Sequence, residues 1–129
     1  MGLLNKIFKG DGEETKEKSK FPWTDFTDKD QITIAKEESK DKLIGIFKHS
    51  TRCGISRMVL KNFEKQYEEN ENTKLYFLDL VKHREVSNAV ADELSVRHES
   101  PQFIVLSDEK VVHSSSHQDI DAAKLKELN

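Results

Sequence analysis

The stretch LIGIFKHSTRCGISRMVL, residues 43–60, decides the fold of this chain. Its first five residues form a short apolar run bounded by charged residues, which predicts a strand buried on both faces. After Cys53, apolar residues recur at the spacing of an amphipathic helix that buries one stripe; they are Ile55, Met58, Val59, Phe63 and Tyr67. The stretch therefore predicts a buried strand, a polar loop and a long helix, with Cys53 where the helix begins.

Apolar patterns on both sides of this stretch predict the remaining elements. They indicate a first helix over about residues 28–39, a strand over 75–81, a helix over about 84–94, and an antiparallel hairpin formed by 102–106 and 111–113. A last helix is predicted to open at Ser116 and Asp119 and to carry Ile120, Ala123 and Leu128. The fold class is therefore α/β, with a central mixed sheet of about four strands flanked by helices. This is the element order of thioredoxin-like folds, although the spacing alone leaves other small α/β sheets open.

The length of 129 residues fits one domain. Residues 9–20 are charged and contain glycine but no apolar residue. We therefore expect a flexible charged N-terminal extension over residues 1–20 and a thioredoxin-like domain over residues 21–129.

The charge balance limits the possible partners. Lysine and arginine number 21 against 24 acidic residues, the net charge is -3, and the two signs are interspersed. The sequence has no cluster of basic residues that would bind nucleic acid. The longest apolar stretch is far below the roughly 20 residues that cross a bilayer, and the N-terminus lacks a secretory apolar region. We expect a cytoplasmic protein with no nucleic-acid partner and no transmembrane segment, whereas the sequence leaves its oligomeric state open.

Cys53 is the only cysteine of the sequence. One cysteine excludes an internal disulfide and a zinc site built on paired cysteines. His113 and His117 lie four residues apart, but no third ligand accompanies them, so we expect no metal site. Cys53 therefore acts alone or with a thiol from another molecule.

The surroundings of Cys53 favour a reactive thiol. Free N–H groups and the dipole at a helix start favour negative charge, and Arg52 and His49 add positive potential nearby. The alternative is an inert, buried cysteine. Because its neighbours, Thr51 and Gly54 among them, are not large apolar residues, we interpret Cys53 as an accessible nucleophile.

Ser56 lies where the second cysteine of a Cys-x-x-Cys segment would stand. A mixed disulfide on Cys53 therefore has to wait for an outside thiol. Ser56 either donates a hydrogen bond to the thiolate or satisfies the start of the helix, and both roles stay open.

A second candidate segment precedes the penultimate strand. Ser100 and Pro101 occupy the place where thioredoxin-like proteins hold a cis-proline facing the reactive cysteine. There the backbone of Ser100 would pair with an incoming thiol ligand as an added strand does. His98 and Glu99 are candidates for the same groove, although exposed loop residues of this kind are common.

Two separated motifs, HSTRCGISR at residues 49–57 and VRHESPQ at residues 96–102, resemble the monothiol bacilliredoxins of the bacilliredoxin C type. The resemblance covers about residues 21–128. It implies a thioredoxin fold and removal of bacillithiol, a small cytosolic thiol, from mixed disulfides with client proteins during oxidative stress. It further implies Cys53 as the nucleophile and bacillithiol as co-substrate, with no tightly bound cofactor.

The chain departs from this family at Gly54, where a proline is usual, and this should loosen the start of the helix. The resulting Cys-Gly-Ile-Ser is similar to the Cys-Gly-Phe-Ser of monothiol glutaredoxins, some of which carry a [2Fe–2S] cluster between two subunits. An iron–sulfur cluster carrier is therefore one alternative. Another is a redox-sensing interaction module, in which oxidation of Cys53 changes a partner contact without turnover.

Overall fold

The computed structural model describes residues 21–128, so the predicted N-terminal extension lies outside the described residues. The strands are β1 (Trp23–Asp25), β2 (Leu43–His49), β3 (Thr73–Asp79), β4 (Gln102–Ser107) and β5 (Lys110–Ser116). The helices are α1 (Asp30–Glu38), α2 (Gly54–Gln66), α3 (Arg84–Leu94) and α4 (Lys124–Leu128), with a 3-10 turn at His117–Asp119. In this part of the chain, no helix combines the length and the hydropathy needed to span a bilayer.

The five strands form one mixed sheet in the order β1-β3-β2-β4-β5. β3 is parallel to both β1 and β2, whereas β2 pairs antiparallel with β4, and β4 with β5. β2 is central, and all seven of its residues are buried, as the apolar run predicts.

Two sequence predictions about the fold are wrong in detail. The sheet has five strands rather than about four, because the three residues of β1 are too few to show a periodicity. The last helix is not continuous from Ser116. His117 has a φ of 55°, in the left-handed region, and Ile120 is extended, so regular helix begins only at Lys124.

Apolar side chains pack on both faces of the sheet. On one face, Ile44 and Ile46 of β2 pack with Val86 and Val90 of α3. On the other face, Leu43 and Phe47 pack with residues of α2 and α4; these include Val59, Phe63 and Leu125. The alternation along β2 therefore fixes the strand between two helical layers, and its C-terminal end sets the position of the loop that follows.

Gly45 provides a test of this packing. A Cβ at this position would lie 2.7 Å from Cζ of Phe103 and 2.8 Å from Cδ2 of Leu75, both inside the core. We expect Gly45→Ala to lower the free energy of unfolding by about 1–3 kcal/mol, because the core has to move apart. Urea unfolding measures this, with Gly54→Ala as control, since its Cβ meets only Arg57 Nη2 at 3.7 Å. Equal losses in the two variants would contradict the packing described.

Lys48 is the charged exception in β2, because its side chain is 0% exposed. Its Nζ donates to the backbone oxygen of Ser87 at 3.1 Å and contacts Nδ1 of His98 at 3.3 Å. Burial, and to a lesser degree the charge of Arg84, lowers the pKa of Lys48 from 10.5 to about 8.

This pKa predicts how stability changes with pH. Between about pH 8 and 10.5 the unfolded lysine binds more protons than the folded one, so the cost of burying the charge disappears as pH rises. We expect the free energy of unfolding of the wild type, relative to Lys48→Met, to increase by about 2 kcal/mol from pH 7 to pH 10. Urea unfolding of both proteins at the two pH values measures it. If the difference in unfolding free energy between wild type and Lys48→Met did not change with pH, Lys48 would have the same pKa in the folded and unfolded states.

Candidate functional site

Cys53 lies at the junction of the polar loop and α2, and it is half-buried. Its backbone is extended, with φ −110° and ψ 122°, and its carbonyl oxygen accepts a hydrogen bond from Arg57 N–H at 3.1 Å. Its own N–H donates to the backbone oxygen of Ser50 at 3.2 Å. Cys53 is therefore the N-cap residue of α2. Because the first turn of α2 contains no acidic residue, the positive end of the helix dipole is not neutralised locally.

Ser56 connects the loop to the end of β2. Its fully buried Oγ accepts a hydrogen bond from Ser50 N–H at 3.0 Å and lies 2.8 Å from Nδ1 of His49. The His49 ring is also buried and lies against Phe77, with 5.5 Å between the ring centroids. These contacts connect the loop to the buried end of β2. The two roles predicted for Ser56 from the sequence, a hydrogen bond to the thiolate and satisfaction of the helix start, stay predictions.

Arg57 is a charged residue of the site that sequence reasoning did not single out. Its Nη1 donates to the backbone oxygen of Thr51 at 3.1 Å, and its Nη2 is the nearest atom to the position of a Cβ on Gly54. The guanidinium therefore lies against residues on both sides of Cys53. The signal in the sequence was its position four residues after Cys53, one helical turn away. Thr51, Arg52 and Gly54 are exposed, so the rim of the site is polar and accessible.

An open groove of about 660 Å³ runs from this loop along α2, and its lining includes Thr51, Arg57, Met58 and Lys61. Met58 is 59% exposed, and the neighbouring Ile55 is 42% exposed. Cys53 is thus close to a surface with both apolar and cationic groups.

The second candidate segment lies beside the end of β2. The Ser100–Pro101 peptide bond is cis. Gln102, the next residue, pairs with Lys48 in the antiparallel register of β4 and β2. Because His49 and the loop with Cys53 follow Lys48 directly, the topology brings the two sequence motifs to the same end of the sheet. Ser100 Oγ is buried and has no hydrogen-bond partner within residues 21–128.

His98 and Glu99 differ in their surroundings. Nδ1 of His98 lies 3.3 Å from Lys48 Nζ and 3.5 Å from Ser87 Oγ. Burial first, and then the charges of Lys48 and Arg84, lower the pKa of His98. Glu99 is half-buried, and its Oε2 lies 3.9 Å from Nε of Arg97 on the surface. Of these two residues, only His98 contacts the buried Lys48.

Sequence reasoning also missed Lys48. A lysine directly after the apolar run of a predicted buried strand was the available signal, because a charge is rarely buried without polar partners. Its partners, Ser87 and His98, are 39 and 50 residues away along the chain, so only the structure identifies them.

Solved structures of known proteins share this fold. A protein described as an oxidoreductase with a thioredoxin fold is 28% identical, with a TM-score of 0.71 over 82% of this chain and 92% of that one. Spinach chloroplast thioredoxin f is 23% identical, with a TM-score of 0.62 and coverage of 84% and 90%. The thioredoxin of Malassezia sympodialis is 20% identical, with a TM-score of 0.61 and coverage of 82% and 86%. The predicted thioredoxin-like α/β fold is therefore confirmed.

The family comparison agrees with the two sequence motifs. The family described as "Monothiol bacilliredoxin BrxC" matches residues 24–125, which include both the loop with Cys53 and the segment before Pro101. Together with the fold, this match supports a function in thiol redox chemistry. The chain belongs to the monothiol bacilliredoxin family.

Proposed function

We propose that this protein is a monothiol thiol–disulfide oxidoreductase that removes bacillithiol from client proteins through Cys53. The observation that carries the proposal is the position of the only cysteine of the sequence, half-buried at the N-cap of α2. A thiolate at this position faces the positive end of the helix dipole. The Arg57 guanidinium, held against Thr51 and close to Gly54, adds positive charge on the same side.

The proposed reaction has two exchange steps. In the first, the thiolate of Cys53 attacks the bacillithiol sulfur of a mixed disulfide, forming a disulfide between Cys53 and bacillithiol. The client sulfur leaves as a thiolate with the electron pair and takes a proton from water. In the second, the thiolate of a free bacillithiol attacks the bacillithiol sulfur on Cys53. This step releases oxidised bacillithiol and regenerates the Cys53 thiolate.

The second step requires a thiol from outside the protein. The position of a resolving cysteine is occupied by Ser56, whose oxygen cannot form a disulfide and is engaged with Ser50 and His49. Bacillithiol is therefore proposed as a co-substrate, and neither step calls for a tightly bound cofactor. The cytoplasm, where thiols are kept reduced, is the compartment that suits this cycle.

Intact-mass measurement tests the first step. Reduced wild-type protein is incubated with a bacillithiolated client, with Cys53→Ser and a glutathione-modified client as controls. We expect one bacillithiol adduct on the wild type, none on Cys53→Ser, and release of free client, because only Cys53 carries a nucleophilic sulfur. An unmodified wild type would reject the proposal and bring the cluster-carrier and sensor alternatives forward.

The departure at Gly54 gives a prediction on stability. Gly54 is the first residue of α2, and Cys53 before it has the extended backbone that proline requires of its predecessor. We expect Gly54→Pro to raise the free energy of unfolding by about 0.5–1 kcal/mol by restricting the unfolded chain.

Thermal unfolding of Gly54→Pro and wild type checks this expectation, as a rise of about 2–6 °C in Tm. A lower Tm would show that the loop cannot accommodate the proline ring. Gly54→Ala is the matched control, since it adds a Cβ at the same position without fixing φ.

A further inference from the structure

A buried polar cluster lies beneath the segment that precedes Pro101. Lys48 Nζ donates to the backbone oxygen of Ser87 in α3 and contacts His98 Nδ1, at 3.1 and 3.3 Å. Lys48 is fully buried, so these groups replace water around its ammonium. The two-step mechanism of Cys53 assigns no task to this lysine.

The contact indicates which nitrogen of the His98 ring carries the proton. An ammonium has three donors and no acceptor, so Nδ1 of His98 accepts the hydrogen bond from Lys48. In a neutral ring the proton then lies on the other nitrogen, Nε2. Burial and the charges of Lys48 and Arg84 favour this neutral form by lowering the pKa of His98. Nε2 makes no hydrogen bond within the described residues.

The location of His98 connects this donor to the exchange site. His98 lies three residues before Pro101, in the loop that leads into β4, and Gln102, the first residue of β4, pairs with Lys48. The loop with Cys53 leaves β2 one residue after Lys48. Lys48 and Arg84 place positive charge near this donor, and the neighbouring Glu99 carboxylate lies 3.9 Å from the Arg97 guanidinium. An N–H donor in these surroundings can bind a carboxylate.

We propose that Lys48 is a positioning residue that fixes His98 as an N–H donor to a carboxylate of the small thiol held on Cys53. The inference rests on the proposed function and specifies how the site recognises an acidic thiol. Lys48 itself does not touch the thiol. It acts by setting the tautomer and the orientation of His98.

The tautomer is tested directly by ¹⁵N NMR of the histidine rings at pH 7.5. In the wild type we expect His98 Nε2 to be protonated and Nδ1 to show the shift of an unprotonated acceptor. In Lys48→Met we expect the two tautomers to mix, whereas Lys48→Arg, which keeps the donor, should restore the wild-type pattern at least in part. A protonated Nδ1 in the wild type would overturn the inference.

Transfer kinetics test the role in recognition. The second-order rate of transfer to Cys53 is measured with a client carrying bacillithiol and with the same client carrying 2-mercaptoethanol, which has no carboxylate. We expect Lys48→Met and His98→Ala each to slow bacillithiol transfer about tenfold, the scale of one lost hydrogen bond to a charged group. Transfer of 2-mercaptoethanol should change less than about twofold by the same reasoning.

The double variant separates positioning from other effects. If Lys48 acts through His98, Lys48→Met should cause no further loss in a His98→Ala background. Lys74→Met is the matched control, because Lys74 is a partly buried lysine of the same sheet that is paired with Glu38, with 2.6 Å between Nζ and Oε2. It should leave both transfer rates unchanged.

Equal slowing of both thiols, or additive losses in the double variant, would overturn the inference while leaving exchange at Cys53 intact. No transfer from either client to the wild type would overturn the proposed function, and the inference with it. If Lys48→Met does not fold, the wild-type tautomer and the thiol selectivity of His98→Ala decide the question.

Discussion

The structure depends on one constraint at the end of β2. A strand buried along its whole length must leave the sheet and begin a helix within four residues, 50–53. The hydrogen bond from Ser50 N–H to Ser56 Oγ and the bond from Arg57 to Thr51 hold this turn from both sides. Because the helix begins immediately after the turn, its unpaired N–H groups surround the residue at the junction. That residue is Cys53, so the fold itself places the thiol where a negative charge is favoured.

The same strand also explains why a lysine is buried near the site. Alternation along β2 directs Ile44, Ile46 and Lys48 to the face covered by α3, and there the ammonium finds a backbone oxygen of that helix. An uncompensated charge at this position would be very costly. The remaining donor capacity of Lys48 is directed at His98, which belongs to the segment before Pro101. The two faces of the sheet therefore contribute differently to the site. The face covered by α2 contributes the helix start at Cys53, and the face covered by α3 contributes the contact of Lys48 with His98, in the segment before Pro101.

Local patterns in the sequence were sufficient to predict much of this arrangement. Three elements were predicted from apolar patterns: β2 from its apolar run, α2 from its apolar stripe, and α3 from Val86, Val90 and Leu94, which recur at every fourth residue. The predicted bounds of α3, 84–94, agree with the structure. The position of Cys53 at a helix start followed from the same reasoning. The sequence does not predict β1, because three residues are too few to show a periodicity. The predicted continuous helix after Ser116 is wrong, because His117 adopts a left-handed backbone that apolar spacing does not reveal. Lys48 with His98, and Arg57 with Thr51, depend on contacts between distant residues or on side-chain direction, neither of which one sequence contains.

We propose that a single cysteine performs exchange and relies on an outside thiol to complete the cycle. The most direct measurement is the amount of client released per protein chain from excess bacillithiolated client, with and without free bacillithiol. We expect release to stop at about one client per chain without free bacillithiol and to continue over many cycles when bacillithiol is supplied. Release of many clients per chain without an added thiol, or none under either condition, would contradict it.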